Sequence, residues 1–211
     1  RLSVIHAGTL GRERSPKEFL QALGELLQER NELRNELEVV FVGQNARFHD
    51  DRTIEDYTKE YGCDRVVKIA GYVSRQASID YIRQADDLLL LIGRVPKEGA
   101  FVYGISGKIY DYAAARKPVL TISEPGATAQ MAQRLNLGPV IHPDEKGQIK
   151  AAIISLCEAH KSGVVLYAPN TELLGAFEFS ALTARLAKGF NESCPTGKSR
   201  AESARRALTA S

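Results

Sequence analysis

The sequence predicts an α/β protein with a doubly wound, mostly parallel sheet of about six strands. Short apolar runs alternate with helical segments six times along the chain, and four of these runs end at a glycine. The chain contains no internal repeat. Strands that alternate with helices in this way form parallel sheets whose two faces are covered by those helices.

The apolar runs place the strands. They lie at residues 2–7, 39–42, 66–69, 88–92, 119–122 and 140–141. The carboxyl ends of parallel strands meet at one edge of a sheet, and ligands of open α/β sheets bind at that edge. We therefore expect the functional residues in the loops that follow the strands.

Helix signals fill the intervals between the strands. Ser15 is the predicted N-cap of the first helix, with Pro16 at its first helical position. Ser74 and Thr128 are predicted to cap two later helices, and Gly62 and Gly138 to end helices. Further helices are predicted at residues 33–37, 50–61, 145–161 and 178–192, and one begins near Lys108.

Composition and cysteine usage narrow the class of protein. The net charge of +2 is too small to indicate a nucleic-acid or membrane partner. Three widely spaced cysteines, with no CxxC pair, argue against a disulfide scaffold or a zinc site and favour a reducing cytoplasm. No apolar run has the length of a membrane span or a signal peptide.

The chain is predicted to be one domain over residues 1–194, followed by a flexible basic tail over 195–211. The tail lacks a core pattern and carries a net charge of +3 from four basic residues and Glu202. Because a strand begins directly after Arg1, with no initiator Met, we interpret the sequence as a fragment of a longer protein.

The stretch from residue 93 to 122 is the predicted centre of the site. A buried strand enters it, a loop with glycine and proline follows, and a helix begins at Lys108. A helix N-terminus attracts anions through its free N–H groups and its dipole, so a cation there is unfavourable for the helix alone. A bound anion would neutralise both the dipole and Lys108.

Six segments together resemble one known family over roughly residues 2–192. They are HAGTLG with RSPKEFLQAL, VVFVG, VKIAGYVS, QADDLLLLIG and SGKIYDYAAARKPVL, in that order. The chain resembles the C-terminal half of a GT-B glycosyltransferase of the group 1 family. The resemblance implies a Rossmann-like domain that binds a nucleotide-sugar donor.

The resemblance also implies roles for residues of the first strand-end loop. The family's glycine is Gly8, its arginine position is occupied by Thr9, and its lysine position falls on Arg14, with Lys17 one turn further on. Arg14 or Lys17 would contact the donor diphosphate, together with the backbone amides of Gly8 and Thr9. The alternative for both cations is a solvated position in the first helical turn.

A second set of residues follows from the family's central motif, two glutamates separated by seven residues, of which the second falls on Asp111, and from a variant that carries Pro-Ser-Lys-Leu-(Phe/Tyr)-Glu-Tyr there. Lys108, with the amides of Ser106 and Gly107, would receive phosphate. Asp111 would hold the ribose hydroxyls, and the backbone near Tyr72 and Val73 would contact the base. The alternatives are a surface lysine at 108 and a surface ion pair at 111.

Three positions depart from the family pattern or stay open. The first glutamate of the family motif is Tyr103 here, and Glu98 either compensates for it or is a surface charge. Arg116 stands where the family usually has glycine, so we expect the turn after that helix to be built differently. His6 at the end of the first strand is predicted to be a satisfied structural residue.

The implied function is donor binding in hexosyl transfer from a UDP-, GDP- or ADP-sugar, in polysaccharide or glycoconjugate synthesis. The resemblance implies that no metal or other cofactor is needed, and the sequence has no Asp-x-Asp motif and no histidine cluster. The acceptor would bind an N-terminal domain outside this chain, which could also associate with a membrane, so the fragment alone should be inactive. The alternatives are a GT-B sugar-nucleotide epimerase and a non-catalytic GT-B module. A receiver-like signalling domain lacks support, because no acidic pair follows the first strand.

Overall fold

Six parallel strands form one sheet in the order β3-β2-β1-β4-β5-β6. The computed structural model describes residues 1–11, 14–93 and 104–193. The strands are β1 Leu2–Ala7, β2 Leu37–Val42, β3 Val67–Gly71, β4 Asp87–Gly93, β5 Val119–Ser123 and β6 Val140–Ile141. The strand order reverses direction between β1 and β4, which makes that gap the topological switch point. The predicted doubly wound parallel sheet is confirmed.

The chain divides into two compact units, Arg1–Asn170 and Thr171–Ser211. The first unit holds the sheet and the helices α1 Lys17–Glu29, α2 Leu33–Glu36, α3 Ile54–Glu60, α4 Arg75–Gln84, α5 Lys108–Ala115, α6 Ala127–Arg134 and α7 Lys146–Ser162. The second unit holds α8 Thr171–Gly175 and α9 Phe179–Ser193. The predicted single domain over 1–194 stays a prediction, and the predicted tail lies outside the described residues.

The core of the first unit lies on both faces of the sheet. The central strands β1, β2 and β4 are buried almost throughout, as parallel strands covered by helices must be. On one face α1 packs against α3 and α7, and on the other α4 packs against α5. None of the helices in the described part of the chain combines the length and apolar composition that crossing a membrane requires.

Helix ends agree with the prediction at Ser74 and Gly62, and one further cap, at the start of α3, was not predicted. Thr53 and Asp56 form a capping box at the start of α3. Ser74 accepts a hydrogen bond from the Ala77 N–H and caps α4, as predicted. Gly62 has a φ of 65°, so the chain leaves α3 through the predicted left-handed glycine.

Two predicted caps are displaced. Helix α1 begins at Lys17 and has Pro16 at its N-cap position, one residue later than predicted. The Ser15 hydroxyl still accepts a hydrogen bond from the Lys17 N–H at 3.2 Å. Thr128 does not cap α6, because Gly126 occupies that position. The Thr128 hydroxyl is engaged elsewhere, as described below.

The turn after α5 also differs from expectation. Arg116 was expected to force a different turn from the family's glycine, yet it has a φ of 55° and forms the same left-handed C-cap that glycine usually provides. Its N–H donates to the Ala113 carbonyl at 3.1 Å. A non-glycine residue is therefore held in a conformation that costs it free energy.

Three glycines end the three strands on one side of the sheet. Gly8, Gly43 and Gly71 follow or close β1, β2 and β3 with φ values of 131°, 130° and 71°. The Gly8 N–H donates to the Val42 carbonyl at 2.7 Å, and the Gly43 N–H donates to the Gly71 carbonyl at 2.8 Å. Hydrogen bonding between neighbouring chains thus continues to the carboxyl edge, and each glycine turns its chain out of the sheet there.

Candidate functional site

The candidate site lies at the switch point, where the loop after β1 faces the start of α5. The Lys108 side chain crosses directly over Gly8. A Cβ atom placed on Gly8 would lie 2.0 Å from Lys108 Cε, so this crossing requires a residue without a side chain. The ammonium group of Lys108 donates to the Thr9 carbonyl at 3.3 Å. The structure thus brings together Gly8, Thr9 and Lys108, three of the predicted site residues.

Positive charge accumulates at this point. Burial first, and then the nearby charge of Arg14, lower the pKa of Lys108 from 10.5 to about 8. The same two cations act on His6. Burial, assisted by the charges of Lys108 and Arg14 and opposed by a hydrogen bond to Leu89, lowers the pKa of His6 to about 3. Such mutual repulsion among half-buried cations is relieved by a bound anion.

The backbone N–H groups at the site divide into used and free donors. The Gly8 N–H donates to Val42, and the Ser106 N–H donates to the Thr128 hydroxyl at 3.0 Å. Within the described residues, the N–H groups of Thr9, Gly107 and Lys108 make no hydrogen bond. Free donors that flank an ammonium group form a site suited to phosphate oxygens.

Thr128 fixes the approach to α5. Its hydroxyl accepts from the Ser106 N–H and donates to the Gly104 carbonyl at 3.2 Å. The side chain is 3% exposed. Thr128, which was predicted to cap a helix, therefore fixes the backbone just before Gly107 and Lys108.

Two buried polar side chains, His6 of β1 and Tyr112 of α5, contact the backbone of β1 and β4. Tyr112 is fully buried, and its hydroxyl accepts a hydrogen bond from the Ala7 N–H at 2.8 Å. His6 Nδ1 lies 2.9 Å from the Leu89 carbonyl oxygen. Since a carbonyl only accepts, the neutral ring carries its proton on Nδ1. His6 Nε2 is then a buried acceptor, without a partner among the described residues. His6 is thus satisfied at only one of its two nitrogens.

The outer part of the site lies between α4 and α5. Asp111 Oδ1 lies 3.2 Å from Arg75 Nη2, so the predicted ribose ligand already has an ionic partner. Both side chains are exposed enough that this pair contributes little to stability. Tyr72, after β3, has 82% of its surface exposed, and Val73 beside it is half-buried. An exposed aromatic ring at a ligand-binding edge is available for contact with a planar group.

The remaining predicted residues are placed as follows. Arg14 is half-buried, and its N–H donates to the Gly11 carbonyl at 2.9 Å. Lys17 Nζ lies 3.9 Å from Asp50 Oδ2, which directs this lysine toward the loop after β2. Glu98 and Tyr103 lie outside the described residues. In the described part of the chain, no three His, Cys, Asp or Glu residues are grouped to hold a metal ion.

Sequence reasoning missed Arg75 and the polar role of Tyr112. Arg75 follows the Ser74 cap and reads as an ordinary first-turn residue. Tyr112 is buried in the core, and its hydroxyl also bonds the backbone of Ala7, 105 residues away in sequence. Its place one turn after Lys108 was the only available signal, because side chains four residues apart share a helix face.

Comparisons with known proteins concern the family and the fold of the chain. A family model described as glycosyl transferases group 1 matches residues 1–159. A comparison with curated protein sequences gives no significant match. Solved structures also match, and the three described next share the fold with this chain at identities of 15–17%.

Three of these structures illustrate the range. HepE from Anabaena, in complex with UDP, matches with a TM-score of 0.58 and 17% identity over 90% of this chain and 48% of that one. Sucrose-phosphate synthase from Thermosynechococcus elongatus matches with a TM-score of 0.62 and 15% identity, over 90% of this chain and 45% of that one. The C-terminal domain of the group 1 glycosyl transferase LpcC from Francisella tularensis matches with a TM-score of 0.53 and 17% identity, over 76% of this chain and 77% of that one. The chain thus spans about half the length of the first two and most of the third.

Proposed function

The chain belongs to the glycosyl transferases of group 1, and from that premise we propose that its first unit binds the nucleoside diphosphate of a sugar donor. The observation that carries the proposal is Lys108 at the first position of α5, with its stem over Gly8 and, beside it, N–H groups that make no hydrogen bond to any described residue. The bound UDP of HepE, a protein of the same fold, supports a nucleotide ligand.

The chemistry of such a site would be electrostatic. Glycosyl transfer from a nucleotide sugar leaves a nucleoside diphosphate, on which negative charge develops as the glycosidic bond breaks. Lys108, Arg14 and the N–H groups of Thr9 and Gly107 would stabilise that charge. Asp111 would hold the ribose, and the loop at Tyr72 and Val73 would meet the base. No step needs a metal ion at these residues.

The proposal extends to the whole protein. An acceptor-binding domain outside this sequence would complete an enzyme that transfers a hexose in polysaccharide or glycoconjugate synthesis in the cytoplasm. This chain alone would bind the donor without transferring its sugar. The epimerase and non-catalytic alternatives share the nucleotide site and differ in the chemistry of the missing domain.

Calorimetric titration of this chain with UDP-, GDP- and ADP-sugars tests the proposal. We expect one of the three series to bind, and the corresponding nucleoside to bind more weakly because it lacks the phosphates. If no nucleoside diphosphate or nucleotide sugar binds, the proposal is wrong. Competition by inorganic pyrophosphate would separate the phosphate contacts from those of the base.

The affinity should depend on pH through Lys108. Its pKa is lowered to about 8 in the free protein, and a diphosphate beside it favours the charged form and raises that pKa. Below the free pKa the lysine is charged in both states, so affinity is constant. Above about pH 8, affinity for a nucleotide sugar should fall by up to about tenfold per pH unit.

Calorimetry in two buffers of different ionisation enthalpy measures the proton uptake that accompanies this fall. The matched control is Lys108→Arg, because a guanidinium does not deprotonate in this range. It should abolish the uptake. Binding of the wild-type chain without proton uptake above pH 8 would contradict the assignment.

Asp111 should discriminate ribose from deoxyribose. Asp111→Asn keeps the size but loses charge-assisted hydrogen bonds, so affinity for the ribonucleotide should fall by about three- to tenfold. Affinity for the 2′-deoxy analogue should fall less, since one hydroxyl is already missing. Arg75→Ala, which removes the ionic partner of Asp111, should preserve the preference for ribose. Equal weakening of both nucleotides by Asp111→Asn would mean that Asp111 serves only the ion pair.

A further inference from the structure

Strands β1 and β4 pair only briefly at the centre of the sheet. Their register joins Val4 to Asp87 and Ile5 to Leu88, whereas β1 pairs with β2 along all six of its residues. The Leu88 N–H donates to the Pro118 carbonyl, on the side of β5. The Gly8 N–H donates to the Val42 carbonyl of β2, so the even residues of β1 face β2 and its odd residues face β4. If the parallel ladder continued, its next bond would join the Ala7 N–H to the Leu89 carbonyl.

Two side chains take the place of that bond. The Tyr112 hydroxyl accepts from the Ala7 N–H at 2.8 Å and lies 3.3 Å from both the Ala7 and the Leu89 carbonyl oxygens, to one of which it donates. The Leu89 carbonyl also accepts from His6 Nδ1 at 2.9 Å. Both side chains are fully buried. Tyr112 and His6, the switch-point pair, satisfy backbone groups that the separating strands leave open.

This arrangement couples the gap between the strands to the start of α5. Tyr112 lies one helical turn after Lys108, so anchoring its hydroxyl to β1 also fixes the first turn of the helix. The same anchor sets the distance between α5 and Gly8, over which the Lys108 stem passes. A phenylalanine would fill the same volume, so only the hydroxyl accounts for the bond to Ala7.

We propose that Tyr112, assisted by His6, is a positioning residue for the anion site. The Tyr112 hydroxyl holds the ends of β1 and β4 apart and thereby positions the Lys108 side chain over Gly8. The identity of the anion as a diphosphate rests on the proposed function. The position of Lys108 over Gly8 does not rest on the proposed function, because it is a property of the protein without ligand. The two can therefore be tested separately.

The first test follows the titration of the Lys108 side chain by NMR in the free protein, with Tyr112→Phe compared with the wild type. Without the hydroxyl, the Ala7 N–H either bonds the Leu89 carbonyl directly or makes no hydrogen bond, and α5 moves from its position against β1. Lys108 then becomes more hydrated and more distant from Arg14, so its pKa should rise from about 8 toward the ordinary value. Nucleoside diphosphate affinity should fall by about three- to tenfold, and nucleoside affinity should not change.

Tyr57→Phe is the matched control. Tyr57 is 1% exposed, and its hydroxyl donates to Asp50 at 2.8 Å, so the variant removes another buried tyrosine hydroxyl. It should lower the thermal midpoint without moving the Lys108 titration. A general loss of stability would affect both variants alike, whereas loss of positioning affects only Tyr112→Phe.

The outcomes separate the two claims. An unchanged Lys108 titration in folded Tyr112→Phe overturns the positioning role, whatever the ligand. If the Lys108 titration shifts in Tyr112→Phe but the wild-type chain binds no nucleotide, the positioning role is supported and the proposed function is overturned.

If Tyr112→Phe does not fold, the variants His6→Leu and His6→Asn test the proposal instead. Leucine at position 6 removes the donor to the Leu89 carbonyl and should raise the pKa of Lys108. Asparagine keeps a donor at that position and should return the pKa of Lys108 to the wild-type value. No difference between them overturns the proposal.

Discussion

Replacing Lys108 with alanine is expected to weaken nucleoside diphosphate binding by about 1.5–3 kcal/mol, or roughly 10- to 150-fold, because it removes a hydrogen bond to a charged group. The structure places this ammonium group near Arg14 and beside N–H donors that are unbonded within the described residues, with its stem over Gly8. The nucleoside without phosphates should bind both proteins equally. Calorimetric titration of the two ligands measures the difference.

Lys117→Ala provides the control for charge. It removes one lysine from the chain just after α5, at the opposite end of that helix from the site. It should leave diphosphate affinity within a factor of about two, because the two ends of α5 are about 12 Å apart and salt screens charges over about 10 Å. If Lys108→Ala lowers nucleoside affinity as much as diphosphate affinity, Lys108 supports the fold and not the ligand.

Gly43→Ala is expected to destabilise the protein by about 2–6 kcal/mol, the sum of backbone strain and overpacking. Gly43 has a φ of 130°, and a Cβ there would lie 2.6 Å from the Gly8 carbonyl oxygen. That neighbour is backbone, held in place by the hydrogen bond of Gly8 to Val42. It cannot move aside as the flexible end of a side chain would. Urea unfolding followed by circular dichroism measures the loss.

Gly147→Ala is the matched substitution. Gly147 lies in the first turn of α7, and a Cβ there would meet nothing within 4 Å. Alanine in a helix is favoured over glycine by about 0.5–1 kcal/mol, so this variant should be as stable as the wild type or more so. Equal stability of the two variants would show that the strand-end glycines are not required for the sheet edge.

Local signals were enough to predict most of the fold. Apolar runs and glycines located all six strands, and Ser74 and Gly62 marked helix ends where the structure has them. Errors arose where two local explanations competed. Thr128 stands where a capping hydroxyl would stand, but it bonds a loop more than 20 residues away in sequence. Arg116 adopts the left-handed turn against its own preference, with its N–H bonded to the Ala113 carbonyl.

The site was predictable only in part. The position of Lys108 at a helix start was visible in the sequence, and the structure sets it against Gly8 and Thr9. The ion pair of Asp111 with Arg75 was not, because it joins helices whose packing depends on the sheet. The bonds of His6 and Tyr112 to strand backbone were also hidden. They exist only because β1 and β4 separate at one point, and no local pattern encodes where a parallel ladder stops.

The central position of β1 has a consequence for the time course of folding. The first strand of the chain is the middle of the sheet, and its contacts with β4 join residues 83 apart in sequence. Contacts of such high sequence separation form slowly, because a long loop must close before they contribute. On a chain still being synthesised, β1 can pair with β2 alone and keeps an open strand edge. That edge is covered when β4 arrives, and the carboxyl end of β1 is completed only with the Tyr112 hydroxyl, 105 residues after Ala7.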